Sequence, residues 1–195
     1  MTLRIRLASG NAHKLEELRR IVPEAAITLL ARDDYPPEDG VTYVENARIK
    51  ARFGRAHADP WEWAVGEDSG VEASALGGRP GIHSARWAGD GVARILEELE
   101  GADDRSGRYV CAMVAIAPDG TELVAEGVLE GRIDGPPRGS AGFGYDPVFT
   151  PDGEARTVAE LGDAWKERNS HRARAALALA GEIAAASAAP GSAAS

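Results

Sequence analysis

The chain has 195 residues, 44% of them hydrophobic, and a formal net charge of −9. This length supports one hydrophobic core of ordinary size, so we predict a single domain over residues 1–186. An acidic chain without a basic cluster is repelled by nucleic acid and by anionic membranes. No apolar run reaches the roughly 20 residues of a bilayer span, and the first residues lack the order of a signal peptide. We therefore expect a soluble, cytoplasmic protein that binds neither nucleic acid nor membrane.

Lysine is rare in this chain. The 22 basic residues include only Lys14, Lys50 and Lys166, and all the others are arginine. Arginine offers a planar fork of donors, whereas lysine offers a compact point charge that suits phosphate. The bias indicates that the three lysines are kept where a small ammonium is needed, and phosphate contact is one such need.

The first predicted unit is a strand, a turn and a helix. Residues 3–8 alternate apolar and basic side chains as a strand does, and apolar residues then follow at helical spacing. A turn that opens a helix presents free backbone N–H groups and the positive end of the helix dipole, which favour an anion. We interpret the turn as a phosphate cradle of Ser9, Gly10, Asn11, Ala12, His13 and Lys14. The alternative is that Asn11 only caps the helix.

The next unit leads from a strand over residues 26–31 into a polar, proline-bearing loop that contains Glu38. A capping box that starts at Thr42 predicts a second helix. Asn46 and Lys50 lie four residues apart on that helix and so share one face. Lys50 is either a ligand-facing side chain or a solvated helix lysine.

The central stretch carries two adjacent acids. Residues 61–65 read as an apolar strand that runs into Glu67 and Asp68, then Gly70, then a returning strand. This is the layout of a hairpin with acids at its mouth. Carboxylates in that position can hold a metal ion. The alternative is an acidic turn without chemistry.

The second half predicts a short helix over residues 92–99 and a hairpin with strands at 109–117 and 122–129. A loop rich in glycine and proline follows over residues 135–144. It leads into two aromatic residues and a carboxylate, in the run Phe143, Gly144, Tyr145 and Asp146. These aromatic residues either face a ligand or plug the core.

The C-terminal part is predicted to be helical. Lys166 lies on a short helical segment, and Ser170 caps the last helix, which opens with His171 and Arg172. Residues 187–195 contain only Ala, Ser, Gly and Pro, which cannot bury apolar surface. We therefore expect this tail to be disordered.

Five separated segments, taken in order, resemble one family. They are Ser9-Gly10-Asn11 with Lys14, Glu45-Asn46-Ala47 with Lys50, the run from Asp68 to Arg86, Gly142-Phe143-Gly144-Tyr145-Asp146-Pro147, and Ser170-His171-Arg172. On these motifs the chain is similar to the non-canonical purine nucleoside triphosphate pyrophosphatases, also called inosine triphosphate pyrophosphatases. The resemblance covers almost all of residues 3–183. All three lysines fall at positions that the family uses for phosphate.

The resemblance implies an α/β fold with an elongated, mixed and twisted sheet flanked by helices. It also implies two lobes, a central active-site cleft and a homodimer. The implied reaction is hydrolysis of ITP, dITP and XTP to the monophosphate and pyrophosphate with Mg²⁺, which removes these nucleotides from the pool. A cation between carboxylate and phosphate cancels their repulsion, so the negative charge of the chain is no objection.

Carried over position by position, the resemblance gives each candidate residue a role. Asp68 would bind the metal and help to deprotonate the attacking water, and Glu38 would be a second metal-associated acid. The turn from Ser9 to Lys14 would hold the phosphates with help from Lys50. The nucleoside would be held by Ser69, Phe143 stacking on the base, Gly144, Tyr145, Asp146, Lys166, and His171 and Arg172 reading the purine edge.

Three positions depart from the family pattern: Glu67 where Asp is common, Ser9 where Thr is common, and Trp87 where a smaller aromatic is usual. The longer Glu67 side chain bears on the metal geometry beside Asp68. Two alternatives stay open, namely a pyrophosphatase for another modified nucleotide, such as a pyrimidine, and a nucleotide-binding regulatory module without turnover. The presence of both Asp68 and Glu38 favours the enzyme.

Overall fold

The computed structural model describes residues 2–188, in which six strands form one mixed sheet. The strands lie in the order β2-β1-β3-β4-β5-β6. Strand β1 pairs in parallel with β2 and β3, and the remaining pairs are antiparallel. The predicted α/β class with a mixed sheet is therefore confirmed. The strands are β1 Arg4–Ala8, β2 Ala26–Leu29, β3 Trp63–Ala73, β4 Ser106–Ile116, β5 Glu122–Ile133 and β6 Phe149–Pro151.

Helices cover both faces of this sheet. Helix α2 packs on one face, where Ala47 and Ala51 meet alternate residues of β4. The other face carries two separate cores. Helices α1 and α6 cover one of them, and α3, α4 and β6 cover the other, beyond Glu67 and Ser69 along β3. The helices are α1 Ala12–Ile21, α2 Tyr43–His57, α3 Gly91–Glu98, α4 Val158–Leu161, α5 Asp163–Asn169 and α6 His171–Ala188.

Local helix-start signals are confirmed. The Thr42 side chain accepts a hydrogen bond from the Glu45 backbone N–H, and the Glu45 carboxylate accepts one from the Thr42 N–H in return. The Ser170 hydroxyl oxygen accepts from the Ala173 N–H at 3.1 Å and so caps α6. These caps satisfy backbone donors that a helix leaves free at its first turn. None of the helices described in residues 2–188 is long and apolar enough to cross a membrane.

The predicted hairpin at the two acids is wrong. Strand β3 runs without a break through Glu67, Asp68 and Gly70 and pairs with β4 along most of its length. Gly70 lies inside β3 and not in a turn. A Cβ atom at this position would lie 2.2 Å from the carbonyl oxygen of Gly81. The glycine is needed for close approach of another segment, which a single sequence cannot distinguish from a turn signal.

The first two residues of the expected tail are helical. Helix α6 continues to Ala188, past the predicted start of the tail at Ser187. Residues 189–195 lie outside the described part of the chain, so the rest of that expectation stays a prediction. The single domain over residues 1–186 stays a prediction as well.

Candidate active site

The site begins where β1 stops. Ala8, the last residue of β1, pairs with Gly66, and β3 then continues through Glu67 and Asp68 with β4 as its neighbour. The turn after β1 therefore opens beside the two acids. Its position at the end of a parallel strand, where a helix begins, is the usual location of ligand sites in α/β sheets.

The predicted cradle is an ordered turn. The Ser9 hydroxyl oxygen accepts from the Asn11 N–H at 3.1 Å, and the Asn11 side chain accepts from the His13 N–H at 2.9 Å. Asn11 is thus the helix cap that the sequence allowed as an alternative. Gly10 is exposed, and a Cβ there would meet no atom within 4 Å, so the space above the turn is open. Capping and anion binding are compatible, because a cap satisfies only part of the free N–H groups.

The two adjacent acids take different partners because neighbouring residues of a strand face opposite sides of the sheet. Glu67 is fully buried on the α1 and α6 side. Its Oε2 lies 2.6 Å from Lys14 Nζ and its Oε1 lies 3.1 Å from Arg172 Nη2. Burial alone would raise the pKa of Glu67, but Lys14 and Arg172 outweigh it and hold the pKa well below its usual range. Glu67 is therefore an ionised carboxylate that joins two cations.

Asp68 faces α2. Its Oδ1 accepts a hydrogen bond from Lys50 Nζ at 3.0 Å and its Oδ2 accepts one from Asn46 Nδ2 at 3.2 Å. The same Lys50 Nζ lies 2.9 Å from Glu38 Oε1. Burial raises the pKa of Asp68, and the attraction of Lys50 only partly offsets this. Burial would likewise raise the pKa of Glu38, but Lys50 and then Arg86 outweigh it and lower that pKa.

The acids that converge are therefore Asp68 and Glu38, not the neighbours Asp68 and Glu67. Both converge on one Lys50 ammonium, so their oxygens face a common region. Within residues 2–188 no group of three or more His, Cys, Asp or Glu side chains could hold a metal. Mg²⁺ usually takes one or two carboxylates and completes its shell with water and substrate phosphate, so this donor pair fits Mg²⁺.

A pocket of about 180 Å³ lies beside β3, and Ser69 of that strand is part of its wall. Its wall includes ten of the predicted residues. Of the predicted substrate-binding residues, five do not line the pocket: Ser9, Gly10, Ala12, His13 and Lys50. Those that line it are Asn11, Lys14, Ser69, Phe143, Gly144, Tyr145, Asp146, Lys166, His171 and Arg172.

Phe143 forms one wall of this pocket. The His13 ring stacks on it at 5.7 Å between centroids and 25° between planes. Lys166 Nζ lies 4.7 Å and Arg172 Cζ lies 5.6 Å from its centroid. An aromatic face among cations is suited to a flat, electron-rich ring.

A chain of buried ion pairs joins the pocket to the cradle. Asp146 Oδ2 lies 2.8 Å from Lys166 Nζ, which lies 2.6 Å from Glu17 Oε1. Glu17 also pairs with Arg172, which in turn pairs with Glu67. Lys14 completes the chain at Glu67. Groups at the two ends of the site are therefore held by one continuous network, which makes their positions interdependent.

His171 and Arg172 open α6 at the back of the pocket. Both are buried, and His171 Nδ1 and Arg172 Nε have no hydrogen-bond partner in the described part of the chain. Burial, reinforced by the charge of Arg172, lowers the pKa of His171 well below its usual range, so its ring is neutral. Buried polar groups in native proteins are normally paired. These two atoms are exceptions, and both belong to residues that line the pocket.

Sequence reasoning missed several residues of the site. Glu17 lies three residues after Lys14 on one helix, so the shared face was a signal that could have found it. Tyr109, whose hydroxyl donates to Asp146 Oδ1 at 3.1 Å, gave no such signal. Its partner is 37 residues away in the chain.

The buried neutral His171 predicts a pH dependence of stability. Its pKa is lowered in the native protein, so below about pH 6.5 the unfolded chain binds a proton that the native protein does not. The free energy of unfolding is expected to fall as pH drops from 7 to 5.5, by at most about 1.4 kcal/mol per pH unit from this group. Urea midpoints at the two pH values measure the slope. His171→Phe should flatten it and His83→Phe, at an exposed position, should not; an unchanged slope in His171→Phe contradicts the prediction.

An acid pair beside a helix-start turn, joined to a pocket with an aromatic wall, is the site of a nucleotide-binding α/β protein. The model of the Ham1 family matches residues 5–182. The chain belongs to the Ham1 family.

Similar sequences and structures agree with this assignment. The dITP/XTP pyrophosphatase of Streptomyces avermitilis is 44% identical over 188 residues, which cover 88% of this chain and 92% of that protein. The dITP/XTP pyrophosphatase of Neisseria meningitidis is 42% identical over 195 residues, with 93% and 96% covered. The Staphylococcus aureus Ham1 protein has a TM-score of 0.82 at 31% identity, with 94% of this chain and 99% of that chain covered.

Proposed function

We propose that this protein hydrolyses the purine nucleoside triphosphates ITP, dITP and XTP to the monophosphate and pyrophosphate, and so removes them from the nucleotide pool. The observation that carries the proposal is the unbroken link from Lys14 at the cradle, through Glu67 and Arg172, to the pocket with Phe143. The cradle would hold the triphosphate and the pocket would hold the base, so one nucleotide would occupy both. The relatives named dITP/XTP pyrophosphatase support the proposal.

In the proposed mechanism Asp68 accepts a proton from the attacking water. Hydrogen bonds from Lys50 and Asn46 fix the orientation of the Asp68 carboxylate for this role. Asp68 and Glu38 would hold Mg²⁺, which when bound supplies Lewis-acid polarisation of a phosphoryl oxygen. Lys14 and Lys50 neutralise charge on the leaving pyrophosphate. The cradle orients the triphosphate through backbone N–H groups at the start of α1.

In this proposal His171 and Arg172, at the start of α6, recognise the purine base. Hypoxanthine and xanthine present an oxo acceptor at position 6, where adenine presents an amino donor. A donor on Arg172 pairs with the oxo group and is left unmatched by adenine. Leaving a buried charged donor unmatched is costly, so such sites discriminate strongly.

A panel of nucleoside triphosphates with Mg²⁺ tests the function. Pyrophosphate release from ITP and XTP well above that from ATP is expected, with no orthophosphate as first product. Equal or higher turnover of a modified pyrimidine nucleotide would favour the alternative substrate. Tight ITP binding without product would favour a regulatory module.

The assembly and its location are part of the proposal. We propose a homodimer, as in the resembling family, and a two-lobed shape with the cleft over β3. The two separate cores on one face of the sheet support the two lobes. A nucleotide-pool enzyme works where nucleotides are consumed, so the proposed compartment is the cytoplasm. Light scattering after gel filtration measures the assembly.

Lys14→Arg is expected to lower kcat/KM for ITP by roughly tenfold or more, about 1.4 kcal/mol. Lys14 Nζ packs 2.6 Å from the buried Glu67 carboxylate, and the larger guanidinium spreads its charge away from that point. Steady-state kinetics measures the loss. Arg20→Lys on the exposed side of α1 is the matched control and should be neutral. An unchanged kcat/KM in Lys14→Arg removes the argument drawn from the three lysines.

A further inference from the structure

Tyr109 of β4 lines the pocket and is buried. Its ring contacts two other aromatic rings. Phe149 is 4.4 Å away between centroids and tilted by 43°, and His171 is 4.6 Å away and stacked within 10°. A buried ring that packs against two other rings has little freedom to rotate, which restrains the direction of its hydroxyl.

The Tyr109 hydroxyl is held by a hydrogen bond to Asp146. It donates to Asp146 Oδ1 at 3.1 Å, while Asp146 Oδ2 accepts from the Phe143 N–H at 2.9 Å and from Lys166 Nζ at 2.8 Å. Burial, together with the charge of Asp146, raises the pKa of Tyr109 well above its usual range, so the hydroxyl remains a donor at working pH. One side chain thus contacts both the turn that carries Phe143 and the start of α6.

We propose that Tyr109 is a positioning residue that sets the base selectivity of the pocket. It holds the neutral His171 ring in plane by stacking and fixes the Asp146 carboxylate by its hydrogen bond. The proposal rests on the proposed function. Tyr109 makes no described hydrogen bond or ion pair with the cradle or with Asp68 and Glu38. It reaches the lysine of the cradle only through Asp146 and the chain of ion pairs beyond it, so we expect its main effect at the base.

Tyr109→Phe tests this, because it keeps the stacked ring and removes only the donor. We expect KM for ITP to rise roughly tenfold with kcat within about twofold, and the preference for ITP over ATP to narrow. Binding of inorganic tripolyphosphate, which has no base, should be unchanged by calorimetry. Tyr43→Phe is the matched control, since Tyr43 is also buried and lies outside this pocket, and it should change none of these values.

A second variant separates positioning from a general structural role. In a double-mutant cycle, Tyr109→Phe combined with Asp146→Ala should be no worse for ITP than Asp146→Ala alone, because alanine removes the acceptor through which the hydroxyl acts. Additive losses, or an equal loss of ITP and tripolyphosphate binding, overturn the proposal. If Tyr109→Phe does not fold, Tyr109→His keeps an aromatic ring but is too short to place a donor where the hydroxyl meets Asp146 Oδ1, and loss of ITP preference with intact tripolyphosphate binding is again the expected result.

The outcomes distinguish this inference from the proposed function. If the wild-type protein cleaves ITP and Tyr109→Phe behaves like Tyr43→Phe, only the role of Tyr109 is refuted. If the wild-type protein binds ITP without cleaving it, the function is refuted. The effect of Tyr109→Phe on the binding preference for ITP over ATP then still tests the role of Tyr109. If it binds no purine nucleotide, both are refuted.

Discussion

Asp68→Asn is expected to lower kcat for ITP by roughly 10³-fold or more, about 4 kcal/mol of transition-state stabilisation. Asparagine keeps the shape and one acceptor oxygen beside Asn46, but it cannot take a proton from water and is a poor Mg²⁺ ligand. Triphosphate binding should stay measurable, because the cradle and Lys14 lie on other elements. Steady-state kinetics and calorimetry with ITP measure the two effects.

The matched control is Asp152→Asn, which removes the same charge at an exposed position. It should leave kcat and KM unchanged. Near-normal turnover by Asp68→Asn would show that another group takes the proton, and the proposed role of Asp68 would be wrong. Loss of ITP binding together with turnover would instead place Asp68 in the binding of ground-state substrate.

Arg172→Ala is expected to lower the free energy of unfolding by about 3–5 kcal/mol. Arg172 is almost fully buried, and its two terminal nitrogens contact the carboxylates of Glu17 and Glu67. Alanine leaves Glu67 with Lys14 alone and removes one of the two cations from Glu17. Removing one partner of a buried pair costs more than the pair itself contributes, because the remaining charge stays out of water. Urea unfolding measures the loss.

The control for stability is Arg174→Ala, two residues further along α6 and exposed, which should cost less than about 1 kcal/mol. A test of base selectivity requires a variant that retains the positive charge and so remains folded. Arg172→Lys is that variant. We expect the preference for ITP over ATP to shrink in Arg172→Lys while tripolyphosphate binding changes little. If the preference persists, His171 and Arg172 only begin a helix and hold the ion-pair network.

Helix starts could be predicted because their causes are local. The cap at Thr42 requires Glu45 three residues later, and the cap at Asn11 requires only the N–H of His13. The strands β1, β2, β4 and β5 were also predicted, since apolar runs or alternation are visible within each segment, whereas β3 was predicted as two strands and β6 was not predicted. The family motifs predicted one site from Asp68, Glu38, Lys50, Phe143 and Arg172. In the structure Lys50 contacts Asp68 and Glu38 on the α2 side of β3, and Arg172 lies by Phe143 on the other side, so their roles stay a prediction.

The sequence by itself determined the local elements, their caps and the set of charged residues available for chemistry. Only the tertiary structure decided how those charges are paired. Glu67 and Asp68 are adjacent, yet the alternation of a continuous strand sends them to opposite faces of the sheet. Whether Gly70 ends a strand or admits Gly81 depends on a segment that arrives from elsewhere in the chain. Arg172 meets Glu17 across 155 residues, and no local pattern carries information over that separation.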